Sequence, residues 1–305
     1  MTDRDLLACG DLIAQRRHAY GRAAADDGDW LAAADMFAQA AERAADWPPA
    51  WFALGEARER LDDMEGAAAA YRAALAADPS DALGAAMRLA LLGAEGPLAA
   101  LPAAYVARLF DDYAPRFDSH LQDALGYRGP ALLVAALAEA APGRHFASAL
   151  DLGCGTGLMG AAMRSRVARL AGVDIAPRMI EKTRERGLHD DLALRDALAF
   201  LENSAPGAFD VILAADLFPY FGDLGPVLAA CRGALADDGL LAFSVETRPG
   251  KAFGLLPTLR FAHARSHVET AAGRAGMKPL LVRPASIRRE AGGETPGLVC
   301  VYGTQ

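Results

Sequence analysis

Cysteine is scarce in this 305-residue chain, whose four thiols are Cys9, Cys154, Cys231 and Cys300. No two of them stand at metal-ligand spacing and they form no disulfide framework, so they read as reduced. Long apolar runs are missing as well. The most apolar region, 83–110, is broken by Arg88, Glu95 and Arg108, well short of the roughly 18 to 20 residues that a membrane span needs. The start, Met1-Thr2-Asp3-Arg4-Asp5, has neither the basic region nor the apolar core of a secretion signal. These absences give the expectation of a cytoplasmic protein with no membrane partner. Positive charge is in deficit: the net charge of −8 argues against a nucleic-acid backbone as the main partner. Basic residues do gather near the C-terminus, at Arg260, Arg265, Arg274, Lys278, Arg283, Arg288 and Arg289. A solvated rim explains them more simply than a site for an acidic substrate. What is present is ordinary, 53% hydrophobic and 23% charged residues, the balance of a globular protein of about two domains.

The first third repeats itself. A shift of 34 residues superposes Gly21 on Gly55, Ala33 on Ala67, Phe37 on Tyr71 and Ala40 on Ala74. Small residues at 55 and 67 let two helices approach, while Trp51 and Tyr71 fill the space between pairs. The second copy, with Trp51, Leu54, Gly55, Ala67, Tyr71, Ala74 and Pro79, resembles the tetratricopeptide pattern. It departs by placing Arg58 where an aromatic is usual, and the first copy is weaker, with Arg17 at the Trp51 position. The resemblance implies paired helices that either present a groove to a protein partner or only pack on their neighbour. Residues 81–93 read as a further helix covering the second repeat, and Gly93–Pro102 as a linker. The expected boundaries are helical repeats over 1–98, a linker with additional helices over 99–130, and a second domain over 131–305.

That second domain alternates helical and strand-like segments, the signature of a doubly wound parallel sheet. Its first strand runs into Leu150-Asp151-Leu152-Gly153-Cys154-Gly155-Thr156-Gly157. A strand turns sharply into a helix only through residues that tolerate positive φ or close backbone approach, which glycine supplies. The following helix, from Leu158, then directs unpaired N–H groups and the positive end of its dipole at the turn. A dinucleotide loop wants glycine at its first, third and sixth positions, and the sixth here is Leu158. An acid followed by three alternate glycines instead resembles the first motif of class I S-adenosylmethionine-dependent methyltransferases, which implies a Rossmann-like seven-stranded sheet and S-adenosylmethionine as cofactor. Cys154 reads as a steric fit inside the loop.

Two more strands end near acids. Asp174 closes Leu170–Asp174, 21 residues after Gly153, where a carboxylate accepts hydrogen bonds from ribose hydroxyls; a helix cap before Pro177 is the competing role. Asp196 closes a third strand, Leu192–Asp196. The resemblance implies that Asp196 and the Ala197 amide meet the adenine, capping explains Asp196 equally well, and Ile175 and Met179 join the implied cofactor set with Asp151, Gly153, Cys154, Gly155 and Gly157. Ahead of the sheet, Tyr113 and Phe117 lie in a Tyr-x-x-x-Phe-Asp segment resembling the one that folds over the cofactor in many small-molecule methyltransferases. After the fourth strand, Phe209–Ala215, comes Asp216-Leu217-Phe218-Pro219-Tyr220-Phe221. It lacks the Asn/Asp-Pro-Pro-aromatic sequence that marks methylation of amide or base nitrogens, so Asp216 and Tyr220 contact cofactor or acceptor without specifying the atom. Asp216, Tyr220 and His263 are the candidate catalytic residues, with Glu246 a further candidate base. No metal site is expected. Asp237-Asp238-Gly239 reads as a turn, Ser266-His267-Val268-Glu269 as a capping box, and Pro279–Val282 with Leu298–Tyr302 as a closing hairpin. The resemblance over about 105–305 is to bacterial methyltransferases carrying tetratricopeptide repeats. It implies methyl transfer to a small molecule, slightly ahead of a protein acceptor; the alternatives are a silent scaffold that binds a partner through its repeats and a nicotinamide oxidoreductase.

Overall fold

Burial on both faces of the central strands sets the architecture of the second half of the chain. In the computed structural model, which describes residues 9–121, 126–290 and 293–304, Val211 and Leu213 face one core while Ile212 and Ala214 face another. Successive side chains of a strand point to opposite faces, so an unbroken apolar strand is one buried on both. The stretch Met1–Asp5, read above for a secretion signal, lies outside the described residues.

The chain divides into two compact units, one up to Tyr105 and one from Val106 onward, so the boundary falls inside the helix Ala103–Tyr113. In the first unit, helices Leu12–Asp26, Trp30–Arg43, Pro48–Arg60 and Met64–Ala77 pack in sequence, followed by Ala85–Leu91. The 34-residue period recurs in three dimensions. A Cβ on Gly21 would stand 2.7 Å from the Phe37 ring, and one on Gly55 would stand 2.6 Å from the Tyr71 ring. Asp29 and Asp63, again one period apart, cap their helices by accepting from Ala32 N and Gly66 N. Arg58, the departure from the aromatic pattern, donates to Gly66 O at 2.9 Å and so ties its helix to the next. Asp81, held at φ +54, accepts from Ala85 N and Ala86 N and starts the last short helix, whose Ala85 and Leu89 pack against Ala67, Tyr71 and Ala74.

Among the described residues the second unit is built on a nine-stranded mixed sheet. Strands β1 (Phe146–Leu152), β2 (Val167–Asp174), β3 (Asp191–Leu194), β4 (Phe209–Ala214) and β5 (Leu235–Thr247) pair in parallel in the order β3-β2-β1-β4-β5. A long hairpin of β8 (Met277–Glu290) and β9 (Gly293–Thr304) lies along the edge of β5 opposite β4, while a short ribbon of β6 (Phe253–Leu255) and β7 (Phe261–His263) pairs with Glu246 and Thr247 on the other edge, past the end of β4. β9 runs against β5 and completes the seven-strand path β3-β2-β1-β4-β5-β9-β8. Helices Gly129–Ala140 and Leu158–Met163 cover one face; Ala197–Glu202, Gly225–Ala234 and Arg265–Arg274 cover the other. The Rossmann-like sheet expected from the sequence is therefore present, with β6 and β7 unanticipated.

Three local readings are corrected. Asp237-Asp238-Gly239 is not a free turn but an irregularity within β5, where pairing slips between Phe209/Leu235 and Val211/Leu240. Arg144 and Thr304 supply the hydrogen bonds that hold it, to Asp238 and Asp237 respectively. Ser266 caps nothing: the helix starts at Arg265, its N-cap is Ala264, and Glu269 pairs instead with Arg265 at 2.7 Å. The closing hairpin is also far longer than its apolar centres, because polar stretches on either side continue the ladder. Among the described residues, no helix is long and apolar enough to cross a membrane.

Candidate cofactor and acceptor site

The carboxyl ends of β1, β2 and β4 meet at the glycine loop. Gly153, Gly155 and Gly157 all take positive φ, at +70, +54 and +86, a region that costs other residues roughly 1–2 kcal/mol. Gly153 N and Cys154 N both donate to Val173 O, tying the loop to the end of β2. A Cβ on Gly153 would stand 2.8 Å from Leu217, and one on Gly157 would press Arg186 and Thr183, whereas one on Gly155 would only touch the Phe117 ring, at 3.8 Å. That is a cradle only bare backbone provides.

The three acids differ in what they touch. Asp151 is 1% exposed and turns inward, accepting from Gly160 N at 3.1 Å and meeting His189 Nε2 at 3.0 Å. It pins the start of the helix to the loop rather than facing the cradle. Asp174 reaches the cradle: one oxygen accepts from Gly155 N and the other from Ala176 N, both at 2.9 Å. Burial pushes its carboxyl up to about 6. The carboxyl stands at the edge of the cradle as an acceptor, so the residues fit a ribose diol. Asp196 lies two residues beyond β3, caps Ala197–Glu202 by accepting from Ala199 N at 2.9 Å, and leaves its second oxygen available.

Small side chains complete the loop. Cys154 is buried with its Sγ 4.0 Å from Thr183 Oγ1 and 3.2 Å from where a Gly172 Cβ would stand. Burial holds its thiol well above its ordinary range, so it stays protonated. Thr183 donates to Gly155 O at 2.6 Å. Met179 is fully buried and clusters with Ala114, Ala176, Phe110 and Phe117, while Ala197 is buried and Ile175 half-buried at the end of β2. Tyr113 packs edge-on against Phe117, with ring centroids 5.1 Å apart, and hydrogen-bonds His120.

Beside β4 the structure assembles a group that sequence spacing did not reveal. Asp216, at φ +61, accepts from Arg260 at 2.6 Å and Arg288 at 3.1 Å. Glu246 accepts from the same two guanidiniums, at 2.5 and 2.9 Å. Two acids and two bases thus alternate in a closed ring, with Tyr220 attached as the acceptor of Arg260 Nη1 at 2.5 Å. Arg260 and Arg288 are 8% and 5% exposed, which corrects their assignment to a solvated rim; Arg265, Arg274, Lys278, Arg283 and Arg289 are exposed as expected. Burial, partly offset by Arg260, pushes the Tyr220 phenol up to about 12. Phe110 covers Tyr220 edge-on at 5.3 Å.

His263 stands apart from this ring. It is fully buried, stacks on His267 at 5.5 Å, and burial pulls it down to about 4, so it is a neutral ring at pH 7. The residues missed from sequence, His189, Thr183, Arg186, Arg260 and Arg288, carry no local signature, because each acts through a partner 14 to 72 positions away. Among the described residues no group of three or more potential ligands is placed to hold a metal ion.

Residues 150–241 match the family model described as a methyltransferase domain. Over 106 residues the chain is 39% identical to human methyltransferase-like protein 27, covering 34% of this chain and 43% of that protein. Over 112 residues it is 30% identical to the ubiquinone biosynthesis O-methyltransferase of Xanthomonas campestris, covering 36% and 47%. The match thus spans less than half the length of these curated relatives. A solved Burkholderia thailandensis 1,6-didemethyltoxoflavin-N1-methyltransferase, bound to 1,6-didemethyltoxoflavin and S-adenosylhomocysteine, shares the fold with a TM-score of 0.52 and 22% identity, over 69% of this chain and 93% of that one.

Proposed function

We propose that this chain, which carries a class I methyltransferase domain after an all-helical region, transfers a methyl group from S-adenosylmethionine to an acceptor, a small molecule rather than a protein. The observation that carries the reading is the glycine cradle with the Asp174 carboxylate at its edge, formed where β1 and β2 end. Asp174 would take the ribose hydroxyls and Asp196 with the Ala197 amide the adenine. Gly153, Gly155 and Gly157 give the methionine part access to backbone, with Asp151 and Cys154 shaping the loop from beneath. Ile175 and Met179 would flank the nucleoside, and Tyr113 and Phe117 cover it. When bound, the cofactor supplies a methyl already activated by its sulfonium, so the protein has mainly to align the acceptor and exclude water.

The ring beside β4 suits that limited task. Asp216 and Glu246 are each bonded by the same two guanidiniums and burial raises the Tyr220 phenol, so these groups position an acceptor rather than remove its proton. His263 belongs to the core beside them. The aromatic cover over the cradle and the small-molecule chemistry named for the Xanthomonas relative favour a small acceptor. The recurrence of Gly21/Phe37 at Gly55/Tyr71 favours a tetratricopeptide-type repeat over residues 1–98, with residues 99–130 as linker and cover and 131–305 as the catalytic domain. Such a repeat suits a protein partner.

Isothermal titration with S-adenosylmethionine tests the donor: no heat of binding would sink the enzyme reading and leave a scaffold, and heat with NAD instead would point to an oxidoreductase. Transfer of radiolabelled methyl into a size-fractionated lysate tests the acceptor. Label in the small-molecule fraction is expected, and label confined to protein would reverse the preference.

A further inference from the structure

The segment Phe110–Asp118 is fastened to the cradle at two points that the aromatic cover does not itself require. At one end Asp111 accepts from Arg178 N at 2.9 Å, an otherwise unpaired donor in the first turn of the helix Pro177–Arg186. At the other end Asp118 makes two bonds. One oxygen accepts from the buried Thr156 hydroxyl at 2.5 Å, inside the glycine loop; the other pairs with the Arg186 guanidinium. Arg186 also donates through Nε to Thr156 O, so a single arginine grips both the loop and the cover. Between the two ends, Ala114 is buried against Ala176 and Met179, and the Phe117 ring faces Gly155.

We propose that Asp118, Arg186 and Thr156 form an ionic latch that fastens the Phe110–Asp118 cover across the glycine loop, so that cofactor enters and leaves only when the latch opens. The inference rests on the cofactor reading above and adds the groups that set exchange. Asp118 and Arg186 keep 37% and 30% of their side-chain surface exposed. An ion pair that reaches water this way is screened by salt and opens readily, unlike a buried one. Thr156 is 1% exposed and its hydroxyl gives the latch its direction, because it seats Asp118 over the loop instead of along the surface. Asp118 is therefore a positioning residue: it touches the loop that holds the cofactor, not the reacting atoms.

The test is the dissociation rate of S-adenosylhomocysteine from the full chain by surface plasmon resonance, at low and high ionic strength. For the wild type, dissociation accelerates as salt rises. Asp118→Asn keeps the shape, removes the charge, and is expected to release the ligand about three- to tenfold faster at low salt and to lose most of the salt dependence. Asp118→Glu restores that dependence. Thr156→Val, which removes one tether and keeps the ion pair, gives an intermediate rate and carries the test if Asp118→Asn does not fold. Dissociation from either variant at the wild-type rate, or unchanged salt dependence in Asp118→Asn, overturns the latch. If the wild type does not bind S-adenosylhomocysteine at all, the cofactor reading has failed instead.

Discussion

Asp174 carries two demands at once. Its carboxylate accepts from Gly155 N and Ala176 N, which favour the charged form, yet burial outweighs them and raises it to about 6. A diol binds the carboxylate better than the neutral acid. The affinity for S-adenosylmethionine should therefore hold steady from pH 8 to 7 and fall through about pH 6, by up to about tenfold per unit below it. Titration calorimetry across that range checks it, and a flat profile down to pH 5 counts against Asp174 as the ribose ligand. For stability of the free protein the sign is opposite to that of an ion-paired acid. The folded pKa lies above the unfolded one, so the folded form binds the extra proton and this group's penalty is relieved as pH falls from about 6 toward 4.

At the scale of elements, two kinds of junction hold the parts in place. In the helical unit the junction is steric: Gly55 lies under the Tyr71 ring, whose hydroxyl reaches Glu59 at 2.5 Å. Gly55→Ala would push the ring off its seat. It should cost about 1–3 kcal/mol of overpacking even though alanine is the better helix former, and urea melts followed by helical circular dichroism measure it. At the sheet the junction is ionic. The ring of Asp216, Glu246, Arg260 and Arg288 joins the ends of β4 and β5 to β8 and to the residue before β7. Arg260→Met leaves the buried Glu246 and the half-buried Asp216 on one guanidinium, and a loss of about 3–5 kcal/mol is expected. Denaturant unfolding of the variant tests this, and a loss below about 1 kcal/mol would mean that water or Arg288 replaces the missing charge. The same element scale explains the misread turn. Asp237-Asp238-Gly239 has turn chemistry, but hydrogen bonds from Arg144 and Thr304 keep it within the strand.

For the whole molecule, ligand linkage is the readout. A cofactor that binds only the folded second unit stabilises it by about 2.7 kcal/mol at a hundred times its dissociation constant. S-adenosylmethionine at that concentration should raise the melting of the sheet-containing unit, which near-ultraviolet signals from its aromatics follow; no shift at saturation would contradict binding to the native state. Much of this molecule is legible in the chain itself. The 34-residue period, the β1 glycine loop and the succession of strand-like segments along the chain rest on local rules: glycine where φ is positive, small residues where helices touch, apolar runs where both faces are covered. Local rules also located the acids, but not their work. Only the tertiary structure turned Asp151 inward onto His189, brought Asp174 to Gly155, buried Arg260 and Arg288 against Asp216 and Glu246, and carried Asp118 to Thr156. Period and turn chemistry are properties of neighbours along the chain, whereas a charge finds its partner only after the sheet has brought distant segments together.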